Sequence, residues 1–143
     1  MTMRRELLSW SDFDRLIDHL IPQFETEFDA MLIITTGGLV PGGAIAELLK
    51  ITSIFVAAVD FPGLENSLQS EDARLRAWPH FLQFPDDQLL LNKRVLVVDD
   101  VWGSGRTISA VKHRVVAASA VAYTCVLHYN PYRSLFGNVR PDY

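Results

Sequence analysis

Residues 95–109 read Val-Leu-Val-Val-Asp-Asp-Val-Trp-Gly-Ser-Gly-Arg-Thr-Ile-Ser. An apolar, β-branched run ends in two adjacent carboxylates and passes through a glycine-rich turn into a helix start. Asp99 and Asp100 bring the paired oxygens that suit a vicinal diol, and the backbone N–H groups of Gly103 to Thr107 face whatever anion sits on the helix N-terminus. Together they make the layout of a site for a phosphorylated sugar. An ordinary strand-to-helix turn would explain the Gly-x-Gly, but not the acid pair before it or the threonine after it. The stretch is not a Walker A loop, which needs a Gly-Lys-Ser/Thr ending, nor a dinucleotide fingerprint, which needs a third glycine. Nucleoside triphosphate hydrolysis loses support.

The rest of the chain supplies the frame for that stretch. Residues 11–28 place Phe13, Leu16, Ile17, Leu20 and Phe24 at helical spacing, with Ser11-Asp12 as the expected N-cap and Pro22 as a kink or end. Met31 to Thr35 reads as a first strand closed by Thr36-Gly37-Gly38, and Gly42-Gly43 opens a helix through Lys50. Ile54 to Val59 is a second strand. Residues 60–89, with Pro62, Gly63, Pro79 and Pro85, lack clear periodicity and read as a long mobile or functional loop. Val95 to Val98 is the third strand, Thr107 to Ala118 a helix and Val121 to Leu127 the fourth strand.

Strands alternating with helices call for an α/β fold with an open, mostly parallel sheet flanked by helices, its C-terminal part short. With no repeat and no composition shift, residues 1–143 are expected to form a single domain. Ligands of such sheets bind beyond the carboxyl ends of the strands, where the loops at 36–43 and 103–105 both lie.

Half the chain is hydrophobic, at 49% of 143 residues, enough for a sizeable core. A net charge of −4 argues against a nucleic-acid or anionic-membrane surface, so an anionic ligand needs a local site. Cys125, the only cysteine, lies in an apolar run and is expected to be a buried thiol. No segment suits a signal peptide or a membrane span, and a soluble cytoplasmic protein is the expectation. His19, His80, His113 and His128 show no metal-ligand spacing.

Val97-Val98-Asp99-Asp100-Val101-Trp102-Gly103-Ser104-Gly105-Arg106-Thr107 resembles the signature of the type I phosphoribosyltransferases, which bind phosphoribosyl pyrophosphate (PRPP). The first loop, Ile33-Ile34-Thr35-Thr36-Gly37-Gly38-Leu39-Val40-Pro41-Gly42, is similar to the pyrophosphate loop of the xanthine-guanine, or 6-oxopurine, branch. The resemblance covers about residues 31–143. It implies that Asp99 and Asp100 are the catalytic pair on the ribose hydroxyls, that Gly103, Ser104, Gly105, Arg106 and Thr107 hold the 5-phosphate, and that Thr35, Thr36, Gly37 and Gly38 hold the pyrophosphate. On the base side it implies Val101 beneath the ring and Asn130 at its exocyclic oxygen. The implied reaction moves the 5-phosphoribosyl group from PRPP to a nitrogenous base, a 6-oxopurine, and releases pyrophosphate. Mg2+ is the implied cofactor, held mainly by PRPP with Asp99 the one protein group considered. The implied partners are PRPP and a nucleobase, with neither nucleic acid nor membrane, in a homo-oligomer. Arg74 and Arg76, in the long loop, are candidates to close over the sugar.

Four departures from the family pattern keep rival readings open. Thr36 stands where arginine or lysine is common, and Gly103 where many 6-oxopurine enzymes carry an aspartate near the base's N7. Asn130 replaces a lysine, and Arg140-Pro141-Asp142-Tyr143 matches a segment beyond which related chains continue into an aromatic tail. Trp102, Tyr129, Tyr132 and Phe136 are other aromatics, of which Trp102 and Phe136 are expected to pack in the core. A non-catalytic PRPP or nucleotide-binding regulator would keep the acid pair and phosphate loop and lose these groups; a transferase for a non-purine acceptor would tolerate Gly103.

Overall fold

The computed structural model describes residues 7–62 and 78–143. The first helix, α1 (Trp10–Leu20), starts about two residues earlier than a Ser11-Asp12 cap implies. Ser9 is the N-cap: its Oγ accepts the Asp12 N–H at 3.1 Å while the Asp12 carboxylate accepts the Ser9 N–H at 2.9 Å, a reciprocal capping box. Pro22 falls in a 3-10 turn, Ile21–Gln23, and α1 ends at Leu20, in keeping with the proline as the helix end.

The sheet is built from β1 (Ala30–Ile34), β2 (Ile54–Asp60), β3 (His80–Gln83), β4 (Arg94–Trp102) and β5 (Val121–Tyr129). Its order is β3-β2-β1-β4-β5, parallel throughout except for the antiparallel β2–β3 pair. The mostly parallel α/β fold expected from sequence is therefore present, with two corrections. A fifth strand, β3, occupies part of the 60–89 stretch expected to be a loop. The third expected strand does not stop at Val98: β4 continues through the acid pair to Trp102, because Val101 and Trp102 still pair with His128 and Tyr129 of β5.

Every residue of β1 is buried, as a central strand covered on both faces requires. Alternation sends Ala30, Leu32 and Ile34 to one core and Met31 and Ile33 to the other. The first core lies under α3 (Asp87–Leu90) and α4 (Arg106–Ala117), through Leu90, Ile108, Val111 and Val115. The second lies under α1 and α2 (Leu39–Leu49), through Ile17, Leu20, Ile45 and Ala46. α2 begins at Leu39, three residues before the Gly42-Gly43 start expected, since Pro41 is tolerated in a first helical turn. Cys125 is buried in the second core, and burial pushes its thiol up to about 12.

The outer edge of β5 is closed by the chain's last described residues. Asp142 and Tyr143 donate their N–H groups to Thr124 O at 3.1 and 3.0 Å, and the Asp142 carboxylate accepts the Thr124 N–H at 2.8 Å. The Tyr143 ring packs against Phe24 at 4.6 Å. No helix among the described residues is long and apolar enough to cross a membrane.

β4 carries the acid pair, so its seating in both cores fixes the site. Leu96, fully buried on the α1/α2 face, should cost about 2–5 kcal/mol on truncation to alanine. Denaturant unfolding of Leu96→Ala is the check, and a loss below about 1 kcal/mol would contradict this packing.

Candidate functional site

β1 and β4 are neighbours, yet the chain leaves β1 for β2 on one side and returns to β4 on the other. α2 and α4 consequently cover opposite faces, and a crevice opens at the carboxyl ends of β1 and β4. The first loop leaves β1 at Thr35, the acid pair lies near the end of β4, and the second loop follows it. Topology alone brings them to one place.

Contact between the loops is close. A Cβ on Gly37 would overlap the Asp100 carboxylate, and one on Gly38 would overlap the carbonyl oxygens of Val98 and Ile34. The two glycines let the first loop lie against β4 with no side chain between. In that loop, whose Thr35–Thr36 peptide is cis, Thr35 donates its N–H to Ala57 O at 2.9 Å and Gly38 donates to Ile34 O at 2.9 Å. Thr36 and Gly37 are left as loop amides without an acceptor among the described residues, and the Thr36 side chain is exposed.

In the second loop the Arg106 N–H donates to Ser104 Oγ at 3.3 Å. The amides of Gly103, Ser104, Gly105 and Thr107 have no acceptor among the described residues, which makes a nest of donors at the start of α4. Gly105, the N-cap, has φ +81, a conformation that favours glycine. The Arg106 guanidinium lies 4.9 Å from the centre of the Phe61 ring, a cation–π contact that no sequence spacing signalled.

Asp99 and Asp100 are both half-buried. The Asp100 N–H donates to Asp99 Oδ1 at 2.9 Å. Burial, joined by the neighbouring Asp100 carboxylate and opposed by that N–H, raises the Asp99 carboxyl to about 7. The pair is a partly desolvated acidic spot that lies against Gly37 of the first loop and precedes the amide nest in sequence. Beside it a cleft of about 240 Å³, walled by Trp10, Phe13, Val40, Pro41 and Leu127, opens onto Gly37 and Asp100.

On the other side of the acids Val101 is 46% exposed, an apolar side chain near the carboxyl end of β4. Asn130 uses its Oδ1 to accept the Tyr132 N–H at 3.0 Å, so it shapes a turn and only its amide NH2 is left to meet a ligand. Around Gly103 a Cβ would meet nothing within 4 Å. Trp102 is core, as expected, and lies edge-on to Tyr129 at 6.0 Å. Arg74 and Arg76 lie outside the described residues.

The phosphoribosyl transferase domain model matches residues 5–136. The chain belongs to that family. Among solved structures, the purine phosphoribosyltransferase of Pyrococcus horikoshii Ot3 is 27% identical, over 95% of this chain and 82% of that one, with a TM-score of 0.73. A hypothetical protein of Neisseria gonorrhoeae with bound ppGpp is 23% identical over 94% and 76%, with a TM-score of 0.72. A hypoxanthine phosphoribosyltransferase of Staphylococcus aureus is 15% identical over 98% and 74%, with a TM-score of 0.77, a likeness of fold. No curated protein matches the chain in sequence. The phosphoribosyl transferase fold thus frames the acid pair, and family and fold together support a pentosyltransferase that moves a phosphoribosyl group to a base.

The raised Asp99 carboxyl gives this domain a pH signature. The native state holds the Asp99 proton more tightly than the unfolded chain, whose carboxyl titrates near 3.8. Without magnesium or PRPP, Asp99 should therefore make stability fall as pH rises from about 4 toward about 7. Urea unfolding of wild type and Asp99→Asn across that range tests it, and parallel pH profiles would overturn the assignment.

Proposed function

We propose that this single-domain protein transfers the 5-phosphoribosyl group of PRPP to a 6-oxopurine and releases pyrophosphate. The observation that carries the reading is the packing of Asp100 against Gly37 at the sheet's switch point, beside the free amides that start α4. A diol site, a diphosphate loop and a monophosphate nest within one crevice match the parts of one molecule. The likeness to a purine phosphoribosyltransferase at 27% identity supports the purine. We read the protein as a cytoplasmic homo-oligomer, and its net charge of −4 argues against a nucleic-acid surface.

In this reading Asp99 and Asp100 accept hydrogen bonds from the ribose 2- and 3-hydroxyls and, once Asp99 has lost the proton it holds toward about 7, their charge stabilises the cationic, oxocarbenium-like carbon that develops at the anomeric position. The amides of Gly103, Ser104, Gly105 and Thr107 anchor the 5-phosphate, while those of Thr36 and Gly37 take the pyrophosphate. With the ends fixed, the bond from the anomeric carbon to the pyrophosphate oxygen breaks as the base nitrogen bonds to that carbon, and the protein's contribution is largely positioning. Val101 offers an apolar floor to the ring and Asn130 a neutral donor.

The described residues contain no group of three His, Cys, Asp or Glu arranged for a metal. The acid pair alone suits Mg2+ that takes most of its ligands from a diphosphate and water, and Asp99 is the residue that would touch it. Bound Mg2+ supplies charge neutralisation of the leaving pyrophosphate.

Incubation with PRPP, magnesium and a pool of bases, read by mass, tests the function: a new purine nucleoside monophosphate is the expected product. Silence from a folded protein that still binds PRPP would turn the reading to a nucleotide-binding regulator, and a product from another base would correct the acceptor. Asp100→Asn should weaken PRPP binding about tenfold or more, since a charged acceptor becomes in part a donor facing hydroxyls; unchanged affinity would remove the diol role. Because the space around Gly103 is open, Gly103→Asp should fold normally and raise purine turnover by on the order of 10² if a missing proton acceptor limits the rate. Turnover at the wild-type level would show that the limit lies elsewhere.

A further inference from the structure

The segment after β5 is fastened to the turn before α4 at three points. Asn130 donates its N–H to Trp102 O at 3.2 Å, Leu135 donates to Ser104 O at 2.9 Å, and the Trp102 indole Nε1–H donates to Ser134 Oγ at 3.3 Å. The Ser134 hydroxyl sends its own proton to Phe136 O at 3.4 Å, which leaves its lone pairs for the indole and for the Phe136 N–H at 3.3 Å. Trp102 is 1% exposed, and a Cβ on Gly105 would overlap its indole nitrogen. The ring thus sets how deep the turn can sit at the residue that caps α4. The Leu135 bond sets its direction: in a planar trans peptide the carbonyl of Ser104 and the N–H of Gly105 point opposite ways, so tying the first away aims the second.

From this brace we infer that Trp102 and Ser134 are positioning residues for the 5-phosphate, an inference that rests on the phosphoribosyl reading above. They touch no ligand. They hold the donor nest of Gly103 to Thr107 in its binding arrangement before phosphate arrives, so that little ordering is left to the binding step. The brace also ties the phosphate nest to the turn that Asn130 shapes on the base side. It leaves the first loop, on the far side of the acid pair, unaffected.

That asymmetry is the test. Trp102→Phe keeps a ring but no N–H, Ser134→Ala removes the acceptor, and Ser134→Thr keeps a hydroxyl. Calorimetric titration of each with ribose 5-phosphate and, separately, with pyrophosphate reads the two subsites. Both Trp102→Phe and Ser134→Ala should weaken ribose 5-phosphate about three- to tenfold, the double variant no more than the worse single one, with Ser134→Thr close to wild type and pyrophosphate unchanged throughout. If Trp102→Phe does not fold, the Ser134 variants decide alone. Unchanged ribose 5-phosphate affinity, or equal weakening of both ligands, would overturn the inference by showing the brace to be either idle or generally structural. Wild-type protein that bound pyrophosphate but ignored ribose 5-phosphate would overturn the phosphoribosyl reading itself, and the inference with it.

Discussion

The Asp100 carboxylate lies against the backbone of Gly37, nearer than any side chain there would permit. This contact exists because β1 and β4 pair in parallel at the centre of the sheet, Ala30 beside Val95 through Ile33 beside Val98. Move either strand by one residue and the acid faces the other core while the loop loses its seat. The crevice, the separation of α2 and α4 onto opposite faces and the meeting of the two loops all follow from that pairing.

The same arrangement keeps two acids side by side and partly dry, where Asp99 holds its proton toward about 7. Such a pair works against the native state. It is held in place by the fully buried stretch Val95 to Val98 on its N-terminal side and by Trp102 on the other. A strained electrostatic patch carried between two well-packed anchors is a common form for a binding site, since the ligand supplies the missing partners.

Much of this was legible in the residues. The runs at 31–35, 54–59, 95–98 and 121–127 are largely apolar and each corresponds to a strand, although only the central runs, 31–34 and 95–98, are buried on both faces. β3 was hidden because His80–Gln83 is short, lies at the edge and alternates no clear pattern, so only its pairing with β2 defines it. Asp99 and Asp100 disguised the length of β4, since carboxylates read as the end of a buried strand, whereas here the ladder to β5 carries them. The positions of the two glycine loops could be placed from sequence, but which amides are already spent could not: Thr35 and Gly38 bond backbone carbonyls that only the folded sheet supplies. Ser134 and Phe61 likewise belong to no motif. Their contacts with Trp102 and Arg106 join segments distant in sequence, and no local spacing announces them.

Crowding is unevenly distributed around the crevice. Gly37, Gly38 and Gly105 each sit where one added carbon would strike a neighbour, while Gly103 has open space and Val101 stands half in solvent. In the proposed phosphoribosyl reading, the crowded glycines lie at the positions assigned to the sugar and its phosphates, where steric necessity forbids a side chain. A different side chain at Val101, on the side assigned to the incoming ring, would then alter the acceptor's surroundings while leaving those glycines untouched.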